Sequence, residues 1–190
     1  MSDLEDLRAF FNAPRYTGPA FDWEAASKAM GATIPADFRS LVNALGPGLI
    51  GNDTLLLAPG ASHPSYDQIA MHRERRAGLD EIWEFEAEDP PEERSKPTVL
   101  DEPGVQPILW ASSGLGYYLH WIAIPGQDPS TWPIGVDIAR GGEWEILPGT
   151  ATELLLGLLS GKTDSFFLGY LRKPEQHRFT PAPSRAPQQQ

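Results

Sequence analysis

Between Gln106 and Leu147, short apolar runs alternate with turn residues at close intervals, and this punctuation restricts the fold more than any other feature of the chain. Gln106 to Ala111 runs into Ser112-Ser113-Gly114. Gly116 to Ile124 runs into Pro125-Gly126-Gln127-Asp128-Pro129. Trp132 to Asp137 runs into the turn Ala139 to Gly142, and Glu143 to Leu147 ends the series. Parallel strands need long crossovers, which these gaps cannot hold, so the spacing predicts four antiparallel strands in a meander. The chain has 190 residues and 41% apolar content, which suits one domain with its own core.

Helical periodicity surrounds this meander. Leu4, Leu7, Phe10 and Phe11 interleave with charged residues over 3–11, as in a short amphipathic helix, and Pro14 and Gly18 mark the loop that follows. A second helix is predicted over Asp22 to Met30, with Asp22 as its N-cap and Gly31 as its C-terminal stop. A third spans Thr33 to Leu45, with Phe38, Leu41, Val42 and Leu45 as the buried stripe. Thr54 to Ala58 reads as a strand, Tyr66 to Gly78 as a surface helix and Ile82 to Phe85 as an edge strand. Thr150 followed by Glu153 has capping-box spacing and opens a last helix carrying Leu154, Leu155, Leu158 and Leu159, which stops near Gly161. The organisation expected is an N-terminal helix and linker over 1–19, a domain over 20–171, and a flexible Pro/Gln-rich tail over 172–190.

Charge narrows the function. The net charge is -11, and a broad negative field repels phosphate backbones, so direct binding to nucleic acid is not expected. The segment Asp80 to Glu102 holds ten acidic residues against Arg94 and Lys96, with prolines at 90, 91 and 97. Charges this dense resist burial, so 86–97 is predicted to be an exposed loop able to meet a basic partner. The acidic start lacks the basic and apolar runs of a secretory signal, and no apolar run approaches membrane-spanning length. A cytoplasmic protein without membrane contact is expected. Nothing in the sequence indicates an oligomeric state.

Catalytic patterns are not found. His63, His72, His120 and His177 lack metal-ligand spacing, and the chain has no cysteine. Ser112-Ser113-Gly114-Leu115-Gly116 has neither the frame of a nucleophile elbow nor a following helix. Paired carboxylates, as in a small hydrolase, are the least excluded enzyme reading, yet no spacing selects a pair among 26 acidic residues. No cofactor or metal is expected, and the chain is read as a binding domain rather than an enzyme. Trp83, Trp110, Trp121, Trp132 and Trp144 all fall between positions 83 and 144, and tryptophans on neighbouring strands suit an aromatic floor for binding.

Several stretches together resemble the SUKH superfamily, which includes fungal regulators of cell-wall assembly and bacterial immunity proteins. They are Trp23-Glu24, Gly31 to Leu41, and Gly46 to Gly48; Ile108 to Ala111, Gly116 and Tyr117 to Trp121; Asp128-Pro129-Ser130-Thr131-Trp132-Pro133-Ile134; and Trp144 with the helix from Thr152 to Leu159. Ser113 to Gly116 lacks the acid that the family often carries there, and Glu86 to Glu93 looks like a private insertion. The resemblance implies an α+β single domain, with a central antiparallel or mixed sheet packed against N-terminal helices and a C-terminal helix. It implies a protein that neutralises a cognate toxin, such as a nuclease, by direct occlusion. A regulatory or scaffold domain without a toxin is the other expectation. The family transfers no catalytic residue. The candidate partner-binding residues are Trp110, Tyr118, His120, Trp121 and Trp132, with Glu86, Glu88, Asp89, Glu92 and Glu93.

Overall fold

The computed structural model describes residues 3–140 and 142–183. Among these residues five α-helices and seven strands follow in the order α1 (Asp3–Phe11), α2 (Trp23–Met30), α3 (Ala36–Leu45), β1 (Gly48–Ile50), β2 (Thr54–Leu56), α4 (Gln68–Phe85), β3 (Gln106–Ser113), β4 (Tyr117–Ala123), β5 (Ile134–Ile138), β6 (Trp144–Leu147), α5 (Ala151–Ser160) and β7 (Phe179–Pro181). All strands join one antiparallel sheet in the order β6-β5-β4-β3-β2-β1-β7. This is an α+β single domain, and the expected meander is its β3-to-β6 half.

Local chemistry sets the helix ends. The Ala25 N–H donates to Asp22 Oδ1 at 2.9 Å, and Gly31 closes α2 at φ 69, a conformation that a Cβ would strain. Thr150 and Glu153 form the capping box of α5, with the Thr150 N–H donating to Glu153 Oε2 at 2.8 Å. Pro35 is the N-cap of α3 in extended conformation, so this helix starts at Ala36, three residues later than periodicity suggests.

Strand alternation divides the sheet side chains between two faces. Leu119, Trp121, Ile134 and Val136 face one side and join the core of α1, α3 and α5. At its centre Phe38 meets Trp121 edge-on at 4.8 Å and Trp110 at 5.9 Å, and the two indoles stack at 6.0 Å. Tyr118, His120, Ile122 and Asp137 face the opposite side, which α4 covers.

Two expectations need correction and a third is extended. Ile82 to Phe85 is the last turn of α4, because the helical register begun at Gln68 continues through it. The expected N-terminal helix is present as α1, and Leu7 and Phe11 bury it in the main core. The chain past Arg172 is no free tail as far as Pro183: β7 pairs with β1, and the buried Phe179 packs 6.0 Å from Phe11 over Gly48, where a Cβ would strike the Phe179 ring. The end of the expected tail, 184–190, lies outside the described residues, as does Gly141 in the turn before β6.

Phe38 is the keystone of the aromatic core. Phe38→Ala removes a fully buried ring and its edge-on contacts with Trp23, Trp110 and Trp121, so unfolding in urea should show a loss of about 3–5 kcal/mol. A loss below about 1 kcal/mol would mean that the core closes around the gap.

Candidate functional site

The site is built on α4, a helix with an unusual inner face. Gln68, His72, Arg75 and Leu79 are its buried residues, at i, i+4, i+7 and i+11, and three of the four are polar. Asp67 caps the helix, its Oδ1 accepting from the Ile69 N–H at 3.1 Å. β2 stops at Leu56, so β3 outruns it and the Leu109 backbone lacks a strand partner on that side. Two α4 side chains take the place of the strand: Gln68 Nε2 donates to the Leu109 carbonyl at 2.9 Å, and His72 Nδ1 accepts from the Leu109 N–H at 3.3 Å.

One helical turn on, Arg75 reaches β5. It ion-pairs with Asp137 and donates to the carbonyls of Ala139 at 2.8 Å and Ile138 at 3.0 Å. Asp137 accepts again, at Oδ1, from His120 Nε2 at 2.9 Å. Asp137 and His120 are fully enclosed, and the Arg75 guanidinium lies 4.3 Å from the centre of the Tyr118 ring. Arg75 already neutralises Asp137, so a second cation there would be uncompensated. Burial accordingly holds His120 well below the usual histidine range, reinforced by the positive charge of Arg75. Burial lowers His72 to about 4, with Arg76 and Arg73 adding to the effect. A shallow concavity of about 250 Å³ opens above this cluster between Met71, Glu74, Arg75, Gly78 and Tyr118.

Beyond this anchor α4 emerges as an acidic ridge. Trp83 packs 6.4 Å from Trp144 of β6, flanked by the cations of Arg76 and Lys96 at 5.6 and 5.2 Å. Phe85 is 84% exposed at the end of the helix. The following segment folds into two 3-10 turns, Glu86–Glu88 and Pro91–Glu93. Arg94 holds them by donating to the carbonyls of Ala87 and Asp89, each at 2.8 Å. Glu86 Oε2 closes the loop by accepting from the Ser95 N–H and hydroxyl at 2.8 and 2.7 Å. Glu81, Glu84, Glu88, Glu92 and Glu93 are exposed and form no ion pair among the described residues.

The candidate residues therefore separate. Glu88, Glu92 and Glu93 stand on the ridge, Asp89 is half-buried beside them, and Glu86 is spent on holding the loop. Trp110, Trp121 and Trp132 are core residues, 0%, 1% and 6% exposed, and form no open aromatic floor. The sheet is covered by helices on both faces, so its indoles pack inward. His120 is enclosed in the ion cluster and Tyr118 is half-buried against Arg75. Glu81, Glu84 and Phe85 were missed because 82–85 reads as a strand by composition. The polar trio Gln68, His72 and Arg75 was legible as a helical stripe had polar residues been counted at core positions. Its strand partners Asp137 and Leu109 carry no such signal.

Among the described residues no group of three or more His, Asp or Glu side chains is placed to hold a metal, and no helix is long and apolar enough to cross a membrane. No protein-family model, curated protein or solved structure matches the chain.

The buried histidines give stability a defined pH dependence. His72 is neutral in the fold down to about pH 4, whereas its unfolded value is 6.5. Below 6.5 the unfolded chain binds the extra proton, so this contribution is fully present above pH 6.5 and is lost as the pH falls toward 4. The slope expected is up to about 1.4 kcal/mol per pH unit for each such histidine. Urea unfolding of the wild type and His72→Gln at pH 7, 6 and 5 measures it. The variant should lose less stability on acidification, and equal slopes would contradict a neutral buried His72.

Proposed function

We propose that this protein is a binding domain that covers a basic protein partner with its acidic ridge. In keeping with the SUKH-like sequence pattern, it acts as a cytoplasmic immunity protein that neutralises a toxin domain by occlusion. The observation that carries this reading is the ridge itself: five exposed carboxylates with no ion pair among the described residues, Glu81 and Glu84 at the end of α4 with the exposed Phe85, and Glu88, Glu92 and Glu93 on the loop tied down by Arg94 and Glu86.

The physics suits a charged encounter. A chain of net charge -11 with five exposed carboxylates gathered on one ridge steers a cationic partner and turns phosphate backbones away. Because the loop is held by hydrogen bonds, its carboxylates keep their spacing without a large ordering cost on binding. Phe85, exposed at the end of α4, supplies apolar area beside the carboxylates, as an aromatic anchor for the partner. A toxin that binds nucleic acid presents a basic cleft, and the ridge offers that cleft a rigid array of negative charge.

Affinity purification of the tagged full chain from its native cells should recover a stoichiometric basic protein. Its affinity should fall by at least about tenfold for Glu84→Lys/Glu88→Lys/Glu92→Lys and drop with added salt. For a nuclease partner, added wild-type chain should suppress cleavage where the triple variant does not. A partner indifferent to both salt and charge reversal would overturn the ridge as the binding face.

A further inference from the structure

We infer that β6 is a docking edge, and that the basic partner lays an extended segment along it as a further strand of the sheet. This rests on the reading of the acidic ridge given above and adds how the partner is held.

The sheet has two ends. β7 ends one, and β6 ends the other with β5 as its only neighbour among the described residues. The Ile138 N–H donates to the Glu143 carbonyl, so the antiparallel alternation turns the N–H and C=O of Trp144 and Ile146 away from β5. These outward groups meet no protein partner among the described residues. An open edge is commonly blunted by inward charges, a lysine or a proline within the strand. β6 contains no lysine or proline, and its one charge, Glu145, is occupied: Oε1 accepts from the Phe166 N–H at 2.9 Å and Oε2 from the Ser165 hydroxyl at 2.6 Å.

Apolar side chains flank the edge on both faces. Ile146 is 45% exposed on the α4 side, beside the half-buried Trp144. Phe166 is 83% exposed, and the Glu145 bonds tether it to the opposite side of β6. An incoming strand would meet backbone donors and acceptors in its own plane and apolar contacts above and below, which is the pattern of strand addition.

Charge selects the occupant. Trp144 packs on Trp83, which lies within one turn of Glu81 and Glu84 on α4, the Arg76 and Lys96 cations beside Trp83 are paired with Asp80 and Asp101, and Glu143 is exposed at the start of the edge. A second copy of this chain would bring its own acidic ridge and its own Glu143 against these groups and be repelled. A segment alternating lysine or arginine with apolar residues is attracted instead.

The test uses the full chain and a nine-residue peptide of alternating lysine and valine. Binding should slow amide exchange at Trp144 and Ile146. Ile146→Pro removes only an outward N–H, which edge strands tolerate, and should weaken binding at least about tenfold. Ile146→Lys, which keeps the backbone and adds a like charge to that of the peptide, is the second variant and should do the same. Binding that is weakened by Glu81→Lys/Glu84→Lys but untouched by both edge variants overturns strand addition and leaves the ridge reading standing. Absence of peptide binding overturns strand addition too, while purification of the native partner judges the ridge independently. A dimer in sedimentation that Ile146→Pro abolishes would assign the edge to a second copy and overturn the basic occupant.

Discussion

The architecture depends on one buried charge balance, that of Arg75 and Asp137 with a neutral His120 beside them. Ionised groups leave water at a large cost, which is recovered only by good geometry and full pairing. Here the pair draws in further partners: two backbone carbonyls on Arg75, an imidazole on Asp137 and an aromatic face on the guanidinium. Removing one member of such a pair costs about 3–5 kcal/mol in other proteins, because the other charge is left buried alone. α4 is therefore committed to one position on β5, and every residue beyond it on the helix inherits that position.

Directional bonds do something here that an apolar stripe would not. Leucines facing a sheet can slide or rotate by a fraction of a turn at little cost, whereas Gln68, His72 and Arg75 each require a particular backbone group. Three such bonds along two turns fix both the rotation and the translation of α4. At 3.6 residues per turn, Glu81 and Glu84 then point away from the face that holds Leu79. The acidic ridge owes its orientation to the polar interface below it, and the two features, distant in appearance, form one device.

Sequence reading succeeded where the determining contacts are local. The Asp22 and Thr150 caps, the stripe of α3 and the punctuation of the β3-to-β6 meander depend on residues a few positions apart, and the structure places them accordingly. It failed where distant residues decide. β7 exists because Phe179 and Thr180 find Ile50 and Leu49, more than a hundred residues earlier, and the composition around Pro181 gives no hint of that. Ile82 to Phe85 has strand-like composition, yet helical register and the packing of Trp83 on Trp144 override it. Trp110 and Trp121 had the residue type of binding anchors, but a sheet with helices on both faces buries what a sheet with one open face would display.

The same covering of both faces decides where a partner can engage the sheet. With α1, α3 and α5 on one side and α4 on the other, the strands offer a visitor only their lateral edges. At the β7 end, the Gln176 side chain accepts from the Asn52 N–H and Arg178 donates to the Gly51 carbonyl, so the final segment is stitched to the turn between β1 and β2. Nothing comparable ties down the outer side of β6 among the described residues. The fold thus spends its last segment on one end of the sheet and leaves bare the other, the end beside the ridge where negative charge and exposed aromatic surface coincide. Attraction alone would give a fast but diffuse encounter, and strand pairing alone would be slow and unselective. Side by side, on the proposed reading, the ridge would bring in a cationic chain and the edge would give it a register.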